Sequence, residues 1–414
     1  MSRPVSRLQA IGVLTCFLLT LMQFPMATAV AGEELALDWQ RTDGHNATSW
    51  SVRWSPDGTM ISQTFLDNTT VIWNATDGRR LIILGSHENY TSEPGTRCDA
   101  NQSCPVPTHL PARVTAWSPD GKYLAVGGDD TMIWVFNTTT WKVSKVLKGH
   151  AASVLTLDFS PDGRYLASGA GRDKVAAHNT GYENITKIWD FESGVAIANL
   201  TGHRDGVLEV KWSPDGKRLV TASDDKRLKM WNTTTWTLMF NLIGPAGGVL
   251  AVDWSPNGTR LISGSRDYMM TLWDSSTGRL LANWSAPNCV RSVDWHPDGE
   301  MIVGAGVAQT YIMIKNATTG ETLQTIQDNR WASNDTPIGV IMSARWSPDG
   351  RKLAVASGKE QTIRVYAFGP AKPKAQPPYP EWLPGITVFL LVLVIAPIVT
   401  FIIMKGRVRT TERR

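Results

Sequence analysis

An all-β ring of seven four-stranded blades is the fold class this chain predicts, followed by one membrane-spanning α-helix near the C-terminus. Three observations carry that expectation. A five-residue turn recurs seven times: Trp54-Ser-Pro-Asp-Gly, Trp117-Ser-Pro-Asp-Gly, Phe159-Ser-Pro-Asp-Gly, Trp212-Ser-Pro-Asp-Gly, Trp254-Ser-Pro-Asn-Gly, Trp295-His-Pro-Asp-Gly and Trp346-Ser-Pro-Asp-Gly. Its aromatic residues lie 63, 42, 53, 42, 41 and 51 positions apart, so a unit of about forty residues repeats with insertions. Each turn joins two short alternating apolar runs, and the stretch Ile386 to Met404 contains no charge.

The N-terminus reads as a leader. Arg3 and Arg7 precede an apolar run from Ala10 to Met22, and Ala29-Val-Ala31 offers a small-x-small cleavage site, so 1–31 are expected to be a signal peptide or, if uncleaved, an anchor. The ring spans 32–369. Leu35-Ala-Leu-Asp-Trp39 alternates as a strand but has no blade of its own. In each unit proline presets φ in the turn, Asp or Asn accepts backbone N–H groups, and glycine takes positive φ. The run entering the turn, such as Leu208-Glu-Val-Lys-Trp212, is a first strand; Arg218-Leu-Val-Thr typifies the second. A third ends in Trp73-Asn74, Trp189-Asp190, Trp231-Asn232 or Trp273-Asp274, and a fourth is typified by Leu81 to Leu84. Thr362 to Tyr366 is a third strand with no fourth after it. Pairing it with the N-terminal strand closes the ring and removes the open edge. Residues 370–385 form a proline-rich spacer, 386–404 are long enough to span a ~30 Å hydrocarbon core at ~1.5 Å per residue, and 405–414 are a basic tail expected to stay inside.

These residues resemble the WD40-repeat β-propeller family over about Leu35 to Phe368. The resemblance implies hydrogen-bonded sets within blades: His150, Ser168, Asp173 and Trp189; His203, Thr221, Asp225 and Trp231; and His45, Ser62, Asp67 and Trp73. The pattern degrades elsewhere. Pro245 takes the histidine place in the fifth unit, Phe136 the Trp place in the second and Tyr366 in the seventh; the sixth has neither a clear Asp nor a Trp. A fold alone does not give a function.

The net charge of +4 is misleading about partners. Without the leader arginines and the tail, the remainder carries −2, so no basic field recruits nucleic acid. Thirteen of seventeen asparagines sit in Asn-x-Ser/Thr, where chance gives roughly three. They are Asn46, Asn68, Asn74, Asn89, Asn101, Asn137, Asn184, Asn199, Asn232, Asn257, Asn283, Asn316 and Asn334, the last weakened by Pro337. The excess points to a glycosylated exterior. Turn chemistry is a competing account of Asn137 and Asn232, and also of Asn74 and Asn316. An archaeal envelope or a eukaryotic secretory route fits, the plain repeats and short tail favouring the former. Cys98 and Cys104 bracket a loop that a disulfide would staple, unless both stay free; Cys289 is left unpaired.

The extra residues between Gly85 and Pro111, Lys174 and Thr186, and Asp328 and Pro337 fall in blade connections or second-to-third-strand turns, which share one face of such a ring. Loops on a rigid scaffold carry binding. In the family register Arg172, Arg204, Asp224, Arg266 and Cys289 project there, either as contacts for a protein or peptide or as ordinary solvated loop residues. No nucleophile elbow, His-Glu-x-x-His pair or phosphate loop stands out, and no cofactor is implied. His87, His109 and His178 lie in the insertions and form a weak metal candidate. The expected function is a membrane-tethered, extracytoplasmic, non-enzymatic scaffold binding a protein or peptide. The alternatives are a structural glycoprotein of the cell envelope and a metal-dependent hydrolase using the loop histidines.

Overall fold

The computed structural model of the protein describes residues 34–42, 48–85, 112–171, 183–306, 311–327, 340–358 and 362–369. The chain divides into two compact units: Leu35–Phe368, and a second made of 1–34 and 369–414. Of the second, only Glu34 and Gly369 are described. The expected leader, spacer, membrane-spanning segment 386–404 and basic tail therefore lie outside the described residues, among which no helix is long and apolar enough to cross a membrane.

Leu35–Phe368 is a seven-bladed propeller of four-stranded antiparallel sheets. Six blades are sequential. The seventh is made of Ile341–Trp346, Lys352–Ser357, Thr362–Gly369 and then the N-terminal strand Glu34–Thr42. That strand is fixed from both sides. Arg364 Nε donates to Gln40 Oε1 (3.0 Å), and Leu35 exchanges backbone bonds with the Gln324 amide of blade 6 (2.9 and 3.1 Å). The innermost strands touch in sequence, and the first also meets the last, so the ring closes around a channel.

The repeated turn works as its residue types dictate. In blade 4 the Ser213 hydroxyl donates to Asp215 (2.5 Å) and accepts from Arg218 N (2.9 Å), while Gly216 holds φ +69°. The turn aromatics and the third-strand Trp of blades 1, 3, 4 and 5 then fill the wedge between blades; Trp189 and Trp273 are almost fully buried. Burying one such ring contributes about 2–3 kcal/mol. In the second and seventh blades Phe136 and Tyr366 face Leu124 and Leu353, the places that Trp231 and Leu219 fill in the fourth. The sixth blade puts Lys315 opposite Ile302; its ammonium is satisfied by Gly320 O and Thr322 Oγ1, both at 3.0 Å.

Blades are also sewn together across their seams. Asp158, Asp253 and Asp294 each precede a turn aromatic and accept the backbone N–H of the next blade's Trp212, Trp295 and Trp346 (2.7–2.8 Å). The indoles of Trp54, Trp212 and Trp254 donate to the backbone oxygens of Arg345, Asp158 and Lys211 (2.9–3.1 Å).

Candidate binding face and central channel

The best-formed polar set joins His203, Thr221, Asp225 and Trp231. His203 Nδ1 meets Asp225 Oδ2 at 2.9 Å, Nε2 meets Thr221 Oγ1 at 2.8 Å, and Trp231 Nε1 donates to that hydroxyl at 3.1 Å. The acceptor-only carboxylate assigns the proton to Nδ1. Asp, His and a hydroxyl in a row resemble an activated nucleophile. Here, however, Thr221 is fully buried and its oxygen is occupied by the indole, so the set holds the blade together.

In the third blade His150 Nε2 and Trp189 Nε1 converge on Ser168 Oγ (2.6 and 2.8 Å). The carboxylate at His150 Nδ1 is Glu183 (2.9 Å), a place the family pattern gives to Asp173, which lies outside the described residues. Burial lowers the His150 pKa, with Glu183 opposing it. The first blade corrects the sequence register by one residue. Trp73 donates to Gln63 Oε1 (2.9 Å), not to Ser62, because Trp73 pairs with Ile61 and the inward position two further on is Gln63. Ser62 instead meets Thr115 Oγ1 (2.7 Å) and the Trp117 indole (3.2 Å) in the next blade. Asp67 accepts from Thr69 N and Oγ1, and His45 lies outside the described residues. In the fifth blade Ser263 takes the Trp273 indole (2.9 Å), and Asp267 accepts Ala246 N (2.6 Å), the bond that Asp225 makes to Arg204 N in the fourth.

Of the residues expected at the loop-bearing face, Arg172 lies outside the described residues, as do Cys98, Cys104, His87, His109, His178, Asn46, Asn89, Asn101 and Asn334. Arg204 is exposed; its backbone N–H donates to Asp225. Arg266 and Asp224 pair with each other: Nε to Oδ1 is 2.9 Å, with Asp224 buried and Arg266 Nη2 left without a hydrogen-bond partner. A Cβ on Gly248 would collide with that same oxygen, which explains a glycine there. Cys289 is a half-buried free thiol whose sulfur lies 3.5 Å from Arg266 O.

A cluster that the repeat pattern does not announce sits at the channel mouth on this face. Trp50 is flanked by the guanidinium carbons of Arg113 at 4.9 Å and Arg291 at 4.7 Å from its ring centroid, an arrangement of favourable cation–π contacts. Arg113 is buried, pairs with Asp129 through Nε and Nη2, and leaves Nη1 without a hydrogen-bond partner. These three residues are second in the innermost strands of blades 1, 2 and 6. The same position elsewhere carries Leu155, Leu208, Leu250 and Met342, so the rim is otherwise aliphatic. Lining up the seven first strands and reading their second column is the signal that finds them.

Deeper in the channel, Glu209 of blade 4 accepts from Arg53 Nη2 of blade 1 (3.0 Å) and Arg345 Nη2 of blade 7 (3.1 Å), bracing the lumen from opposite walls. Burial alone would raise the Glu209 pKa, but Arg345 and Arg53 outweigh it and hold the carboxyl below its ordinary value. Asp294 goes the other way, to about 6, through burial first and then the neighbouring Asp253. Among the described residues no group of three or more His, Cys, Asp or Glu side chains is arranged to hold a metal.

Comparison with known proteins agrees with this geometry. The family model described as "WD domain, G-beta repeat" matches seven segments: 39–74, 104–137, 141–177, 194–232, 236–274, 278–310 and 332–367. The chain belongs to the WD-repeat family. It is 28% identical over 197 residues to "Protein HIR1" of Cryptococcus neoformans, covering 44% of this chain and 20% of that protein. It is 32% identical over 122 residues to "Coronin-7" of Pongo abelii (28% of this chain, 12% of that protein). It is also 29% identical over 110 residues to a component of chromatin assembly factor 1 from Mus musculus (26% and 16%). The matched region is thus at most about a fifth of each relative's length.

Proposed function

We propose that this WD-repeat chain is a non-enzymatic interaction scaffold, tethered to a membrane by 386–404, that binds a protein or peptide on the extracytoplasmic side through its loop-bearing face. The observation that carries the binding proposal is the channel mouth. Half-buried Trp50 lies between the guanidinium groups of Arg113 and Arg291, with an aliphatic rim around them. Aromatic and arginine side chains set together in a concave apolar rim are the groups that dominate protein recognition. The mouse relative's name places a WD-repeat protein in chromatin assembly, which supports a partner-binding role for the scaffold and says nothing about this chain's compartment. The leader, the uncharged helix followed by basic residues and the excess of Asn-x-Ser/Thr support the membrane reading. That excess also favours a second reading, an envelope glycoprotein whose coat matters more than any binding site.

Proximity labelling and crosslinking on intact cells tests the proposal, comparing the unaltered chain with Trp50→Ala and with a form whose three insertions are cut to tight turns. A defined neighbour lost in both supports recognition at this face. An unchanged set of neighbours refutes it and leaves the envelope reading.

A further inference from the structure

The outer hairpin of each blade, formed by its third and fourth strands, carries an unexpected regularity. In blades 1, 2, 4 and 6 the turn between these strands begins with Asn74, Asn137, Asn232 and Asn316, each within Asn-x-Thr. Their Oδ1 atoms accept the backbone N–H two residues on, from Thr76, Thr139, Thr234 and Thr318 (2.8–3.0 Å). Blades 3 and 5 cap the turn with Asp190 and Asp274 instead, accepting from Ser193 N three residues on and from Ser276 N two residues on, both at 3.0 Å. Asp serves the turn as well as Asn does. It cannot serve as a glycan acceptor, because it has no amide nitrogen.

In those two blades, and in neither case by turn chemistry, an Asn-x-Ser/Thr triplet appears nine residues further on, at Asn199 and Asn283. The two positions are structurally equivalent. Asn199 pairs with Lys187 and Asn283 with Thr271, each two residues before its blade's Trp. Both asparagines are exposed in the outer strand, as are the hydroxyl residues Thr201 and Ser285. Asparagine is depleted in strands, so a local structural preference does not explain the triplets. Blade 4 supplies an internal control. Asn241 occupies the same place opposite Lys229, but the residue two further on is Ile243, and this blade already has Asn232. Three other triplets among the described residues differ in kind: the hydroxyl residues of Asn68 and Asn184, Thr70 and Thr186, are buried, and Asn257 lies in the turn between the first and second strands of blade 5, off the outer hairpin.

We infer that the perimeter of the propeller is an N-glycan belt with one acceptor on the outer hairpin of each of blades 1–6, Asn199 and Asn283 standing in where the turn is Asp. This rests on the extracytoplasmic reading above. In the transfer, the side-chain nitrogen displaces the phosphate of a lipid-linked oligosaccharide. The Nδ2–C1 bond forms, the C1–O bond to phosphate breaks, the amide gives up one proton and the lipid phosphate departs. The belt also answers a hazard. The outer strands Val195–Leu200 and Leu280–Ser285 contain no charged residue and expose Val195, Ile197, Leu280 and Leu281, an edge that would otherwise invite pairing with another chain. Glycans at Asn199 and Asn283 project from those edges and leave the channel mouth clear.

Site-resolved glycopeptide mass spectrometry of the full-length protein from the cells that make it tests this. Glycans are expected at Asn74, Asn137, Asn199, Asn232, Asn283 and Asn316, with Asn241 bare. Glycans at the four turn sites with Asn199 and Asn283 bare overturn the belt but leave the extracytoplasmic reading standing. Glycans at Asn199 and Asn283 with the turn sites bare also overturn it. A chain with no glycan at any triplet overturns both. The double variant Asn199→Gln with Asn283→Gln is expected to at least double its apparent mass by self-association in sedimentation at a concentration where the unaltered protein stays monomeric. No change in mass would remove the shielding role.

Discussion

Replacing Glu209 with Gln probes whether the channel brace holds the ring together. The side chain keeps its volume but loses its charge, so Arg53 and Arg345 each lose a charge-assisted bond at 3.0 and 3.1 Å. Such bonds contribute roughly 1.5–3 kcal/mol each, and the amide oxygen can still accept one bond from a guanidinium, at about 1.5 kcal/mol. The expected net loss is about 3 kcal/mol, at the lower end of the roughly 3–5 kcal/mol found when one partner of a buried ion pair is removed. Arg345 retains Ser292 Oγ (3.0 Å), Val293 O (2.6 Å) and a more distant Asp294 (3.8 Å). Arg53 has no second ion-pair partner among the described residues and keeps Nη1 unsatisfied, so most of the loss falls on blade 1. For a unit the size of Leu35–Phe368, about 3 kcal/mol corresponds to a fall in Tm of about 4 °C.

The assay is thermal unfolding of the purified full-length chain, followed by tryptophan fluorescence across pH. The Glu209 pKa is held below its ordinary value, so its contribution is complete above the unfolded-state value of 4.5 and is lost as pH falls through the lower folded value. That acid-side limb should vanish in the variant. A companion substitution, Arg53→Met with Glu209→Leu, removes the carboxylate together with the guanidinium that has no other ion-pair partner among the described residues, while Arg345 keeps Asp294, Ser292 and Val293; it should recover most of the Tm, since little charge is stranded. A Glu209→Gln chain that melts within about 1 °C of the parent at pH 7 would show that this brace does not hold the ring together, since the expected shift is several times larger.

Three further outcomes are expected. Asp294 has a folded pKa near 6 against 3.8 unfolded, so its contribution is complete below 3.8 and is lost as pH rises through 6. Asp294→Asn should therefore stabilise the chain above pH 6, by up to about 3 kcal/mol, with the gain shrinking towards pH 4; an equal effect at pH 8 and pH 4 would contradict this. Thr221→Val strands the Trp231 indole and His203 Nε2 and should cost about 2–4 kcal/mol, whereas Thr221→Ser, which keeps the hydroxyl, should cost much less; urea midpoints compare them. Gly248→Ala forces Asp224 away from Arg266 and should cost about 1–3 kcal/mol, measured against Asp224→Ala in a double-mutant cycle, where additive losses would show that the two do not interact.

The ring is legible in the sequence because its signal is local and repeated. Proline, Asp and glycine at fixed offsets make a turn wherever they occur, and seven copies leave little freedom in the architecture. The closing strand is legible for the complementary reason, a strand without a blade at one end and a blade without a strand at the other. Register within a blade is less secure. In the first blade both Ser62 and Gln63 can reach an indole, and only the pairing of Trp73 with Ile61 decides which side faces inward. The substitution of Lys315 for a Trp hides the sixth blade's third strand, since no charged residue is expected at a buried anchor point. The channel residues are hidden for another reason. Arg53, Glu209 and Arg345 come from blades distant in sequence and become neighbours only when the ring closes.

The position just before each turn aromatic explains why the lumen is charged without making it a binding site. Across the seven blades it reads Arg53, Ala116, Asp158, Lys211, Asp253, Asp294 and Arg345. Each aspartate uses one carboxylate oxygen on the next blade's backbone N–H, closing the seams from blade 3 to 4, 5 to 6 and 6 to 7. A carboxylate placed for that purpose needs a cation in so confined a space, and Lys211 lies 3.7 Å from Asp253 as Arg345 lies 3.8 Å from Asp294. The charges therefore follow from stitching the ring, and Glu209 follows from the arginines that stitching brings in. Trp50, Arg113 and Arg291 escape that logic. Their column lies three residues before the seam position in the same strands, and its aliphatic members Leu155, Leu208, Leu250 and Met342 satisfy packing without any polar group. An aromatic ring and two guanidinium groups there go beyond the packing that the other four blades meet with aliphatic side chains, so the proposed recognition lies at the mouth of the channel and not in its interior.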